Sequence, residues 1–428
     1  MKQSRKTEWT RLDNASKIFP SNCNRRDTKV FRVSCELYET VEPEILQQAL
    51  DKAIQNFPLF KSVLRRGLFW YYFETTNIEP TVEEETNPVC APIYFKDKRN
   101  LLFRVFYYHN RINLEIFHAL SDGTGALWFM QTLVHYYLVL KHKENFSAKP
   151  PRLDYHVSTS KKKDDSFKRY FVGEGIMAKK FKDDRGKQDK KPTPYHLKGT
   201  RIEDNRMKLI EGAMSTKDIL ELARRYNTTL TIFFTSLFIF SIYREMAEPA
   251  KKRPVVLSIP INLRKFYESV TIRNFFTTMR IGYQFGRENS SFEELIQGVS
   301  ECFQKELKED QINRNLNLFM ALEKNLLTRV IPLSIKDYSL RVAQKIFDQG
   351  ITAALSNTGT ISMPPEFGSY IRQFGITTSA RRPQVGICSY GDRLVVSFTS
   401  PFQETDIQRN FFQFLAQLGV EIEIASNL

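Results

Sequence analysis

Phe117-His118-Ala119-Leu120-Ser121-Asp122-Gly123-Thr124-Gly125 is the stretch on which the reading of this chain turns. A histidine follows the apolar run Ile112 to Phe117, and an aspartate stands four residues later. Two glycines then lead into Leu127, Met130, Gln131, Val134, Tyr137 and Leu138, which repeat at helical spacing. The motif therefore lies at a strand-to-helix junction, a place where chemistry is commonly exposed on a rigid scaffold. With an unperturbed pKa near 6.5, a histidine can take a proton from a hydroxyl, amine or thiol at neutral pH, provided it is held in one tautomer. A strand-to-loop junction lets the aspartate turn away from the histidine and pair with a cation, and in that case it braces the loop. His118 is the only one of the six histidines in such a setting; His109 falls in a turn, His135 and His142 on the following helix, and His156 and His196 in a polar segment.

Upstream of the motif, Val30 to Leu37 alternates as a half-buried strand, and Pro43 opens a helix carrying Ile45, Leu46, Ala49, Leu50, Ala53 and Ile54. Leu68 to Phe73 and Leu101 to Tyr108 read as strands, the latter folded back through His109-Asn110-Arg111 onto Ile112 to Phe117. From Asn145 to about Asn205 the composition turns polar and basic, with Lys161-Lys162-Lys163-Asp164-Asp165, Lys179-Lys180 and Asp189-Lys190-Lys191-Pro192. This predicts an N-terminal lobe over 1–145, a crossover over 146–205 and a C-terminal lobe over 206–428. In the last of these, Ser215 caps a helix, Thr231 to Arg244 forms a buried one, and Pro254 to Pro260 forms a buried strand delivering Asn262-Leu263-Arg264. Arg280 to Phe285, Thr352 to Ile361 and Arg393 to Thr399 add strands, and Asp406 to Leu418 a closing helix. The class is α/β or α+β, in two lobes.

At 428 residues the chain exceeds the roughly 250 to 300 at which single cores stop growing. It is 42% hydrophobic with 34 Phe and 18 Tyr, enough for two sizeable cores. The formal charge of +15 favours anionic partners, among them phosphorylated cofactors and acidic proteins. No nucleic-acid recognition motif accompanies it. Five cysteines without C-x-x-C spacing suggest neither a zinc site nor a disulfide framework, and a reducing cytoplasm fits them. The apolar stretch Leu230 to Tyr243 is shorter than the roughly 20 residues a transmembrane helix needs. No signal-peptide pattern opens the chain.

The His118-Ala-Leu-Ser-Asp122-Gly123 motif resembles the signature of the chloramphenicol-acetyltransferase-like superfamily, which includes condensation domains and alcohol acetyltransferases. Ser258-Ile-Pro-Ile-Asn-Leu-Arg264, Arg273-Asn274-Phe275-Phe276 and Leu355-Ser-Asn-Thr-Gly359 resemble its later landmarks in order and spacing. Leu12-Asp-Asn-Ala and Lys17-Ile-Phe-Pro20 resemble the bacterial alcohol acetyltransferase-like branch. The resemblance implies two subdomains, each a mixed sheet flanked by helices, with a tunnel between them. It implies His118 as the general base that deprotonates an alcohol or amine for attack on an acyl-CoA thioester. It further implies that Asp122 pairs with Arg264, that Gly123 lets the backbone turn, and that Asn274, Ser356 and Asn357 contact substrate along the tunnel. Coenzyme A enters as a co-substrate thioester, and neither a metal nor a tightly bound cofactor is expected. Condensation domains usually double the histidine, but position 117 is Phe, which favours acyl transfer over peptide condensation. Two other readings stay open: acyl donation from an acidic carrier protein docked on the crossover lysines, and a non-catalytic binding protein on the same fold. With two lobes in one chain, a monomer is expected.

Overall fold

The computed structural model describes residues 8–96, 98–146, 151–153, 166, 192–286, 291–324 and 330–427. The lysine clusters expected in the crossover, and His156 with them, lie outside these residues. Its end, 192–205, is laid on the C-terminal lobe: the Tyr195 amide donates to the Pro254 carbonyl and that of Ile202 to Pro401.

The expected α/β architecture of mixed sheets flanked by helices is present. One sheet orders its strands as Ile371–Thr378, Val30–Leu37, Arg111–Phe117, Phe103–Tyr108 and Val82–Glu84. Helices Pro43–Ala53 and Gly123–Lys141 pack on one another, the second also against this sheet. The other large sheet runs Phe276–Tyr283, Val255–Asn262, Ala353–Thr360, Gln384–Tyr390, Arg393–Ser400, Lys208–Ser215 and Glu423–Ser426. Ala353–Thr360 is parallel to both its neighbours and the remaining pairs are antiparallel. Helix Leu230–Arg244 buries Phe233, Phe234, Leu237, Phe238, Ile239 and Ile242 against this lobe. Its all-round hydrophobicity is that of a core helix. Among the described residues no single helix is long and apolar enough to cross a membrane.

The lobes are not divided by one cut in the chain. Ile371–Thr378 leaves the C-terminal half and pairs antiparallel with Val30–Leu37, Phe374 opposite Cys35 and Ile376 opposite Val33. It covers what would otherwise be an open apolar edge. Where this strand passes the other sheet the backbones nearly touch: a Cβ on Gly386 would lie 2.1 Å from the Ile376 carbonyl oxygen. Of the apolar run Leu68 to Phe73, expected as one strand, Tyr71 to Phe73 lie in strand Tyr71–Thr75, while Leu68 to Trp70 form the turn that joins it to Ser62–Arg66. Gly67 closes that turn by donating to the Trp70 carbonyl at 2.8 Å, which leaves Leu68 71% exposed.

Candidate active site

Alternation along Arg111–Phe117 decides where the motif begins. Successive side chains of a strand point to opposite faces. Phe117 is fully buried and stacks on Tyr94 at 5.0 Å, inside the N-terminal core. His118, half-buried, turns the other way into a wall of Phe19, stacked on it at 4.3 Å, Phe31 at 4.9 Å and Phe276 at 5.5 Å. Its backbone is pinned by donation to the Lys29 carbonyl at 2.8 Å.

Asn274 sets the state of the ring. Its amide nitrogen donates to the His118 carbonyl at 2.9 Å, so its Oδ1 is the atom that meets His118 Nδ1 at 3.0 Å. An amide oxygen only accepts, hence Nδ1 carries the proton and Nε2 carries the lone pair. Burial drives the imidazole below its ordinary 6.5, against opposing pulls from its own carbonyl, from Asp122 and from Asn274. The neutral, proton-accepting form is favoured.

Asp122 has no capacity left for catalysis. Its carboxylate accepts Arg264 Nη1 at 2.7 Å and Nη2 at 3.2 Å, the Gly125 amide at 3.1 Å and the Phe275 amide at 2.9 Å. It caps helix Gly123–Lys141 and neutralises a buried guanidinium in the same act. Arg264 also donates to the carbonyls of Thr271 and Arg273. Ser121 Oγ donates to the Ile272 carbonyl at 2.6 Å. Segment 271–275 of the C-terminal lobe therefore grips the motif at several points.

The glycine required here is Gly125. A Cβ on it would lie 2.3 Å from both the Ile272 oxygen and Ser121 Oγ, whereas one on Gly123 would meet only a Thr358 methyl at 3.8 Å. The turn was expected to depend on Gly123; close packing against segment 271–275 places that demand two residues later.

A cavity of about 280 Å³ opens beside the motif, lined by Thr124, Trp128, Gln131, Arg152, Asn262 and Thr358 among others. Asn262 Nδ2 donates to Thr124 Oγ1 at 3.0 Å, tying the end of strand Val255–Asn262 to the start of the motif helix. Neither His118 nor the expected tunnel residues Ser356 and Asn357 line it. Asn357 spends its amide on Thr231 Oγ1, 2.9 Å, and the Gly359 amide, 2.9 Å, at the register shift in its own strand. Asn274, expected to face substrate, is 1% exposed and committed to His118. The residues that sequence reasoning passed over are Asn262 and Thr358, which sit inside motifs already quoted, and Phe19, whose approach to His118 no sequence spacing discloses. Among the described residues no cluster of His, Cys, Asp and Glu could hold a metal ion.

No family model matches the sequence, and no curated protein matches it. Solved structures do match over nearly the whole chain. The TRI3 trichothecene 15-O-acetyltransferase from Fusarium sporotrichioides superposes with a TM-score of 0.64 at 9% identity, covering 96% of this chain and 94% of its own. The first condensation domain of the CDA synthetase gives 0.64 at 13% identity and 96% coverage of both chains. A point mutant of the starter condensation domain of rhizomide synthetase RzmA, in complex with C8-CoA, gives 0.60 at 14%, covering 95% of this chain and 94% of that one. The chain thus has the two-subdomain fold of condensation domains and of this acetyltransferase, the chloramphenicol-acetyltransferase-like fold.

Proposed function

We propose that this protein is an acyltransferase that moves an acyl group from a coenzyme A thioester to an alcohol or amine, with His118 as general base. The observation that carries the reading is the contact of His118 Nδ1 with Asn274 Oδ1, which assigns the proton to Nδ1 and leaves an unprotonated Nε2 on a neutral imidazole walled by phenyl rings. The acceptor O–H or N–H gives its proton to Nε2 as the oxygen or nitrogen attacks the thioester carbonyl carbon. The tetrahedral oxyanion then collapses, the C–S bond breaks, and the leaving thiolate takes the proton back from Nε2. No net proton or electron is exchanged with solvent. A base so placed contributes roughly 10²- to 10⁴-fold.

Supporting the reading are the fold shared with an acetyltransferase and with a domain seen bound to C8-CoA. The charge of +15 suits the phosphates of coenzyme A. Phe117, buried in the core, stands where condensation domains usually carry a further histidine, and this favours simple transfer.

The test is a panel of acyl thioesters of graded chain length against alcohol and amine acceptors, with His118→Ala alongside. We expect thioester consumption coupled to acceptor, reduced on the order of 100-fold or more in the variant. Transfer that survives His118→Ala undiminished refutes the reading. Presenting the same acyl groups on an acidic carrier protein distinguishes that donor from the free thioester.

A further inference from the structure

The N-terminal turn Leu12-Asp13-Asn14-Ala15-Ser16 is a sequence feature for which the mechanism above has no use, yet the fold carries it into the site. Asp13 is 1% exposed, Ser16 is fully buried, and both lie behind Asn274. Asp13 Oδ1 accepts the Ser16 amide at 2.7 Å and Oδ2 accepts the Ser16 hydroxyl at 2.6 Å. Arg273 pairs with the carboxylate, its Nε 3.6 Å from Oδ2, while its Nη2 donates to the Arg11 carbonyl. Ser16 Oγ, its hydrogen directed at Asp13, accepts from Asn274 Nδ2 at 2.9 Å.

We infer that Asp13 and Ser16 are positioning residues that act through Asn274 to decide which ring nitrogen of His118 carries the proton. A carboxylate can only accept, so the Ser16 hydrogen points to it; Oγ then accepts, so the Asn274 amide nitrogen points to Oγ. That leaves Oδ1 for His118 Nδ1. Turning the Asn274 amide over would set its oxygen against both the His118 carbonyl and an acceptor Ser16 Oγ, losing two hydrogen bonds at a residue 1% exposed. Asp13 thus sets the direction from one end and the His118 carbonyl from the other, and the array ends with the lone pair on Nε2. The same turn leads into the short helix Ile18–Asn22, which stacks Phe19 on the ring, so residues 13–19 fix both its tautomer and its plane. The consequence for rate rests on His118 being the base; the tautomer itself does not.

The experiment uses the full chain labelled with ¹⁵N-histidine, with His118→Gln to identify the signals of that ring. Above the pKa of the ring, Nε2 is expected at a pyridine-like shift and Nδ1 at a pyrrole-like one. Asp13→Asn gives Ser16 a donor in place of an acceptor and releases its hydroxyl toward Asn274, while Ser16→Ala removes one of the two anchors of the amide. Each is expected to move signal toward the opposite tautomer and to lower kcat roughly 10-fold or more with KM nearly unchanged. Either variant serves if the other fails to fold by circular dichroism. A wild-type ring protonated on Nε2, or folded variants of both kinds with wild-type shifts, overturns the inference. Shifts that respond as stated in a protein without transferase activity would uphold it and sink the proposed reaction alone.

Discussion

His118 is neutral because burial outweighs the groups that would charge it, and this gives two pH dependences of definite sign. As a base it works only unprotonated, so the acid limb of kcat/KM should reach half its plateau below pH 6.5. A limb centred above 6.5 would contradict the site described here. Stability follows proton uptake: below pH 6.5 the unfolded chain binds a proton at this position before the folded one does. Stability contributed by His118 is therefore lost as pH falls from 6.5 toward its lowered folded value. Asp122 gives a different expectation. Asp122→Ala strips a buried guanidinium of its counter-ion and two backbone amides of their acceptor, so it should cost about 3–5 kcal/mol in urea unfolding. A loss below about 1 kcal/mol would show that the brace is dispensable. The histidine and its aspartate were legible in the sequence, since strand, turn and helix signals converge on them. What Asn274 does was not, because hydrogen-bond direction depends on which atom of an amide faces which neighbour.

At the scale of elements, the two motif glycines separate conformational need from steric need. Neither has a positive φ, so any requirement for glycine must come from what surrounds it. Gly123→Ala places a methyl in ordinary contact with Thr358 and should leave fold and activity within a few tenths of a kcal/mol. Gly125→Ala drives a Cβ into the backbone carbonyl of Ile272, which cannot give way without dragging the segment that holds Asp122, Arg264 and Asn274. We expect that variant to lose soluble expression or activity, and an active, stable Gly125→Ala protein would show that segment 271–275 is not the rigid clamp described. Strands with alternating or β-branched patterns, such as Val30–Leu37 and Val255–Asn262, were readable from sequence, although Val30–Leu37, expected half-buried, is buried along its whole length. Ile371–Thr378 and Gln384–Tyr390 were not, because each places a glycine, Gly375 or Gly386, in mid-strand where the two sheets nearly touch. The feature that obscures them as strands is the one their packing requires.

For the whole molecule the question is whether the lobes can part. The crossing strand Ile371–Thr378 says they are one unit, and a charged network says so again across the sheet contact. Arg111, on the central strand of the N-terminal sheet, donates to Glu211 of the C-terminal sheet at 2.6 Å and to Glu36 at 2.7 Å. Glu36 also accepts Arg372 at 2.7 Å and Gln373 at 3.0 Å, and Glu211 accepts Ser397 at 3.2 Å. Burial pushes the Glu36 carboxyl up, but Arg111 and Arg372 together outweigh it and hold the group below its ordinary 4.5. Its contribution is complete above 4.5 and is lost as pH falls through the lowered folded value. Glu211→Ala should then cost about 1.5–3 kcal/mol, because Arg111 keeps Glu36 while its Nη1 and the buried Ser397 hydroxyl lose their acceptor. Replacing both partners by apolar residues, Arg111→Met with Glu211→Leu, should recover only part of that loss, since Glu36 then keeps Arg372 and Gln373 but loses Arg111. Hydrogen exchange locates the effect: in Glu211→Ala, protection should fall together in Val30–Leu37, Ile371–Thr378 and Lys208–Ser215, although these strands are far apart in the chain. Loss confined to Lys208–Ser215 would mean that the lobes open independently, and that the crossing strand does not couple them.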